Sequence, residues 1–135
     1  MTLEQIEDLL PNGLHDAEIR HLAMDYEKAR LVLGVTVLTG ITSQPYPNRE
    51  AERAAEISFE RVRFYSVECP QIGSAFQHPG SVGFSYEKTP PGLVPLELTE
   101  ALPPETLCYS LFIRDWLSHV HIAAAEVAFS WVADE

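Results

Sequence analysis

Positive charge and cysteine are scarce in this sequence, and it has no long apolar run. Nine Lys and Arg stand against twenty Asp and Glu, a formal net charge of -11, which repels phosphate backbones and anionic headgroups. Nucleic acid and membrane surfaces are therefore not expected partners. No stretch approaches the ~18 consecutive apolar residues of a membrane span. The opening segment carries Glu4, Glu7 and Asp8 where an export signal needs basic residues and an apolar run, so the chain reads as soluble and cytoplasmic. Cys69 and Cys108 are the only cysteines and form neither a CxxC nor a metal-type spacing; reduced thiols are the expectation rather than a disulfide. G-x-S-x-G, the P-loop, G-x-G-x-x-G and H-E-x-x-H are all missing, which removes the common nucleophilic, phosphate-binding and zinc-hydrolase signatures. No cofactor is expected.

What is present describes one folded unit. The 135 residues, 46% hydrophobic and 21% charged, suffice for a single domain spanning 1–135 with its own core. Thr2 and Gln5 form a capping-box pattern ahead of Leu3, Ile6, Leu9 and Leu10, which predicts a short amphipathic helix stopped by Pro11-Asn12-Gly13. "AEIRHLAMDY" and "ARLVLGVTVLT", separated by Glu27-Lys28, read as a β-hairpin. In its second strand Leu31, Leu33, Val35 and Val37 share a face, with Val32 and Leu38 on the other. Residues 40–54 are polar and contain two prolines, so they read as an exposed connection. In "EISFERVRFYSVE" Ile57 and Phe59 are out of phase with Val62 and Phe64, which calls for a bulge near Glu60-Arg61. "VGFSYEK" is a short strand, and the Pro-rich stretch from Pro90 to Pro104 has room for a helical turn around Leu96 to Leu102. "TLCYSLFIRDW" and "HVHIAAAEVAFSWV" form two more strands joined near Leu117-Ser118, with a phase change near Ala125. The sum is an α+β fold, a short N-terminal helix followed by a mainly antiparallel sheet or sandwich of about six strands, with the helix across one face or edge.

Three groups of residues bear on function. His15 and Asp16 follow a turn, where the pair either completes the turn through side-chain bonds to backbone or forms an Asp-oriented histidine acting as base or ligand. His119 and His121 share a strand face, and with His15 as third ligand they define a candidate metal site. Trp116 and Asp115 at the last turn, with Tyr46 and Glu50 in the polar connection, are candidate contacts for a protein partner. Cys108, among apolar neighbours, reads as a small core residue, and so does Trp131, in phase with Val127 and Phe129.

The segments "LHDAEIRHLAMDYEKARLVLGV" and "LFIRDWLSHVHIAAAEVAFSWV" resemble a loose group of small bacterial proteins. These open on a hydrophobic-His-Asp-Ala strand and close on an I-x-I-x-A-x-x-V-x-F strand, and some are similar to immunity proteins that neutralise polymorphic toxins. The resemblance implies an antiparallel β protein without a catalytic centre, and a structural role for His15 and Asp16 at the start of the first strand. Charge and missing motifs together point to a non-enzymatic binding protein that covers a basic protein partner with an acidic face. A metal-binding module or metal-dependent enzyme built on His15, His119 and His121 is one alternative. A self-associating domain, a homodimer through an exposed strand edge, is another.

Overall fold

In a computed structural model of the chain, residues 1–40, 45–46, 51–71, 73, 77, 79–89 and 95–133 are described. Helix α1 (Leu3–Leu9) is followed by strands β1 (Glu18–Asp25), β2 (Arg30–Leu38), β3 (Glu52–Val67) and β4 (Val82–Lys88), then helix α2 (Leu96–Glu100) and strands β5 (Leu107–Ile113) and β6 (Ser118–Trp131). All pairings are antiparallel, and the six strands close into a barrel in the order β1-β2-β3-β6-β5-β4. The expected antiparallel sheet of about six strands is thus present, wrapped on itself, so its inner face is buried without a second sheet.

Alternation drives the closure. Leu31, Leu33, Val35 and Val37 from β2 point inward with Ala55, Ile57 and Phe59 from β3, Tyr109, Leu111 and Ile113 from β5, and Val120, Ile122 and Ala124 from β6; each is at most 2% exposed. A fully buried aliphatic or aromatic side chain of this kind contributes roughly 1.5–3 kcal/mol. Val32 and Leu38 are partly covered, as read from their position on the opposite face of β2.

α1 packs its apolar side onto the barrel core next to β4 and β5, where Tyr86 and Tyr109 bond to it. Thr2 and Gln5 make the capping box, and Leu3, Ile6, Leu10 and Leu14 enter the core. Leu9, expected on the same face, is 68% exposed. The helix ends there and Leu10 is already extended at ψ 142°, so the chain swings Leu10 inward in its place. Asn12 ties the following turn to the end of β2 by donating to the carbonyls of Leu38 at 3.0 Å and Gly40 at 2.6 Å.

The irregularity expected near Glu60-Arg61 in β3 is spread further along the strand. Arg61 takes a left-handed φ of 49°, Val62 packs on the core, and the register with β6 shifts between Val62 and Phe64. Phe64 does not follow Val62 inward, because that shift turns it outward into a small hollow with Leu102, Cys108, His121 and Ala123. β3 also begins at Glu52, so the connection before it is shorter than its polar composition suggests.

Candidate functional site

Closure of the barrel rests on a short seam. β1 pairs with β2 from Glu18 to Asp25 but meets β4 only at Glu18↔Gly83 and Ile19↔Val82. A register irregularity between Ile19 and His21 turns the rest of β1 away, so Arg20 to Asp25 have no strand partner on that edge among the described residues. The result is an apolar pocket of about 570 Å³ under the seam. Buried Ile19, Ile113 and Val120 form its floor, half-buried Leu22, Val82 and Trp116 form the walls, and Arg20 and His21 are the ionisable residues lining it.

Because successive strand residues face opposite ways, the outer side of the same seam has a different character. Asp16, Glu18, Glu52 and Asp115 surround a recess of about 450 Å³ with Leu38, Ser81, Gly83 and Arg114. Gly83 N–H donates to Asp115 at 2.7 Å, and Ser81 donates to Glu18. The Arg114 guanidinium lies over Gly83, where a Cβ would stand 2.6 Å from Nη2, so glycine lets this cation sit flat in the recess. Arg114 also borders a second acidic recess with Glu4, Glu7, His15, Tyr86 and Glu87. There Tyr86 donates to Glu7, and Tyr109 to Glu4 at 2.7 Å. Burial first, then these bonds to carboxylates, push the Tyr109 phenol up to about 12 and the Tyr86 phenol higher still. Burial raises Glu4, but the Tyr109 bond and other donors outweigh it and leave its pKa below the ordinary value.

The histidines do not assemble as a triad. His15 is exposed beside α1 and β4, whereas His119 and His121 stack at 5.6 Å, 11° from parallel, on the outside of β6. Their shared partner is Glu68, which sequence reading did not single out. It accepts from the His119 backbone at 2.7 Å and faces His119 Nδ1 at 3.2 Å and His121 Nε2 at 3.7 Å. The backbone bond from His119 is the largest cause of its lowered pKa, against some desolvation, and the two imidazoles add to it. Lone pairs of two near-parallel stacked rings do not converge on one point, and among the described residues no three His, Cys, Asp or Glu groups are placed to hold a metal.

His121 Nδ1 contacts Ser110 Oγ at 2.8 Å, and Ser110 in turn reaches Thr89 Oγ1 at 3.0 Å. The chain Ser110, His121, Glu68 has the composition of a hydrolytic relay. Ser110 is only 1% exposed, so no substrate carbonyl reaches its oxygen and the relay acts as a structural bond across β5 and β6. Cys108 is partly buried and its thiol is raised by desolvation, which makes it a poor nucleophile. Cys69 is exposed, and both thiols are free.

The remaining predicted residues fall as follows. His15 and Asp16 are exposed in the turn before β1. Neither side chain carries a hydrogen bond among the described residues; Glu7 instead accepts from Leu14 N–H at 3.5 Å, and Leu14 O accepts from Ala17 at 3.2 Å. Asp115 and Trp116, adjacent in sequence, line the acidic recess and the apolar pocket respectively. Tyr46 is 68% exposed in the connection whose two ends, Leu38 and Glu52, border the acidic recess. Glu50 lies outside the described residues. No helix of the described chain is long and apolar enough to cross a membrane. The chain matches no protein-family model, curated protein or solved structure.

Proposed function

We propose that this is a non-enzymatic cytoplasmic binding protein that covers a basic protein partner with the outer, acidic side of the β1–β4 seam, in the manner of the immunity proteins its two ends resemble. The observation that carries the reading is the grouping of Asp16, Glu18, Glu52 and Asp115 around one recess, with Arg114 as its only cation among the described residues. Exposed Tyr46 belongs to the connection whose ends, Leu38 and Glu52, border this recess, and Trp116 follows Asp115 in the chain. Clustered carboxylates speed encounter with a basic surface and make the complex salt-sensitive, while a few desolvated contacts supply most of the affinity.

The test is retention of proteins from host extract on the immobilised chain at about 50 mM and about 500 mM salt. A basic partner held at low salt should lose about tenfold or more in affinity to the Asp16→Asn, Glu18→Gln, Glu52→Gln triple variant. A partner held equally by that variant, or no salt-sensitive partner at all, overturns the reading. A second reading, pairing of two copies, is favoured by the β1 edge from Arg20 to Asp25, which has no strand partner among the described residues, and opposed by the charge of -11 on each copy. Sedimentation that stays monomeric at high concentration and high salt removes it.

A further inference from the structure

We propose that the pocket under the seam binds a small amphipathic anion, an aliphatic or aromatic carboxylate whose apolar body lies on Ile19, Ile113, Val120 and Trp116 and whose carboxylate is held by Arg20. This does not rest on the partner-binding reading, since the acidic recess belongs to the other side of the seam.

The pocket's volume of about 570 Å³ lies within the roughly 300–1,000 Å³ of small-molecule sites. Its floor is core rather than surface: Ile19 is 8% exposed, Ile113 1% and Val120 2%. The void lies beside Ile19 and Val82, where the pairing of β1 with β4 ends. Its apolar floor offers no polar groups to order water and suits the apolar body of a guest.

Charge selects the head group. Among the described residues no carboxylate lines the pocket, and its ionisable lining residues are Arg20 and His21. Arg20 Nε donates to the Val35 carbonyl at 3.3 Å, which pins the guanidinium at the rim. Its two terminal nitrogens carry no partner among the described residues, and that is the fork a carboxylate accepts with both oxygens. The nearest acids along the chain do not cancel it. Glu18 and Asp115 line the outer recess, where Ser81 and Gly83 N–H bind them. The His21 ring stands over Gly34, where a Cβ would lie 2.1 Å from its Cε1, so a second nitrogen base is fixed beside the mouth.

The experiment uses the Trp131→Phe chain, in which Trp116 is the remaining tryptophan and reports on the pocket. It is titrated with decanoate and, separately, with decylammonium, each below its aggregation concentration. A saturable change in Trp116 emission with decanoate is expected, with decylammonium at least about tenfold weaker, and Arg20→Gln should weaken decanoate by a similar factor. Gly80→Phe places a ring at the mouth from a position where a Cβ meets nothing within 4 Å. It should abolish the change while far-ultraviolet dichroism stays that of the parent. Equal binding of both amphiphiles, or no effect of Arg20→Gln, overturns the anionic assignment. No saturable change, or binding undiminished by Gly80→Phe, overturns the site itself. The salt-dependent capture described above is measured without either amphiphile, so the two proposals fail separately.

Discussion

Tyr109→Phe removes a single oxygen at the junction that seats α1 in the barrel. Tyr109 is 1% exposed. Its hydroxyl accepts from Leu3 N–H at 3.2 Å and donates to Glu4 at 2.7 Å. A helix N-terminus leaves its first amides without intrahelical partners. Here Thr2 takes Gln5 N–H, Gln5 takes Thr2 N–H, and Tyr109 takes that of Leu3. Phenylalanine keeps the ring and its edge contact with Tyr86 at 6.1 Å, so packing is preserved and the loss is polar. A buried amide left without an acceptor costs about 1–3 kcal/mol, while Glu4, only partly covered, regains water. The expected loss is about 2 kcal/mol, or roughly 5–10 °C in Tm for a domain of this size. Urea denaturation followed by circular dichroism should show a lower midpoint at unchanged slope, with faster hydrogen exchange confined first to α1. The alkaline limb gives an independent check. Burial, with the Glu4 bond, raises the Tyr109 phenol from 10.0 to about 12 in the fold. The unfolded chain therefore releases this proton first, and the stability that the neutral phenol supports is lost as pH rises from about 10 towards about 12. Tyr109→Phe should flatten that limb. A variant within ~0.5 kcal/mol of the parent at neutral pH would refute the assignment of Tyr109 as the anchor of α1.

Glu68 has the opposite sign. Its pKa lies below the ordinary value of 4.5, chiefly through the His119 backbone bond, so its contribution is present above that pH and is lost as pH falls through the folded-state value. Glu68→Gln should reduce the acid dependence of the urea midpoint below pH 4.5; an unchanged acid limb would show that the bond contributes nothing. Gly34→Ala forces a methyl against the His21 ring and should cost about 1–3 kcal/mol. Adding His21→Ala should recover most of it, and an additive double variant would place the ring elsewhere. Leu117, 54% exposed, holds a left-handed φ of 51°, so Leu117→Gly should stabilise the β5–β6 turn by about 0.5–1 kcal/mol. A lower Tm in that variant counts against strain at this turn.

Local rules made the elements legible. The capping box and the β1–β2 hairpin depend on residues close in sequence and formed as read, and the last hairpin formed with its turn centred on Asp115 and Trp116 rather than on Leu117-Ser118. Closure of the barrel depends on two residue pairs between β1 and β4 that lie far apart in sequence and carry no local signal. The same distance hid Glu68, which reads as a polar residue at a strand exit until β3 and β6 pair and set it against two imidazoles. Two features were nevertheless within reach. A hairpin centred on Asp115 and Trp116 places position 110 opposite position 121, so its register alone pairs Ser110 with His121. In β1, Ile19, Leu22 and Met24 do not keep one alternation. The extra residue at Arg20 announces the irregularity that opens the seam.

That irregularity connects the two proposed sites. Glu18 and Ile19 are consecutive, as are Val82 and Gly83, and together they form the entire β1–β4 pairing. Ile19 and Val82 line the apolar pocket, whereas Glu18 and Gly83 line the acidic recess, with Asp115 bound to the Gly83 amide. A guest that separates Ile19 from Val82 must therefore separate Glu18 from Gly83 and carry Asp115 with it. If the spread recess fits a basic partner less well, the partner must by the same free energy disfavour the guest, because coupling between two binding equilibria is reciprocal. A closure of only two residue pairs makes such movement cheaper here than along β3 and β6, whose ladder runs from Ala55 to Val67.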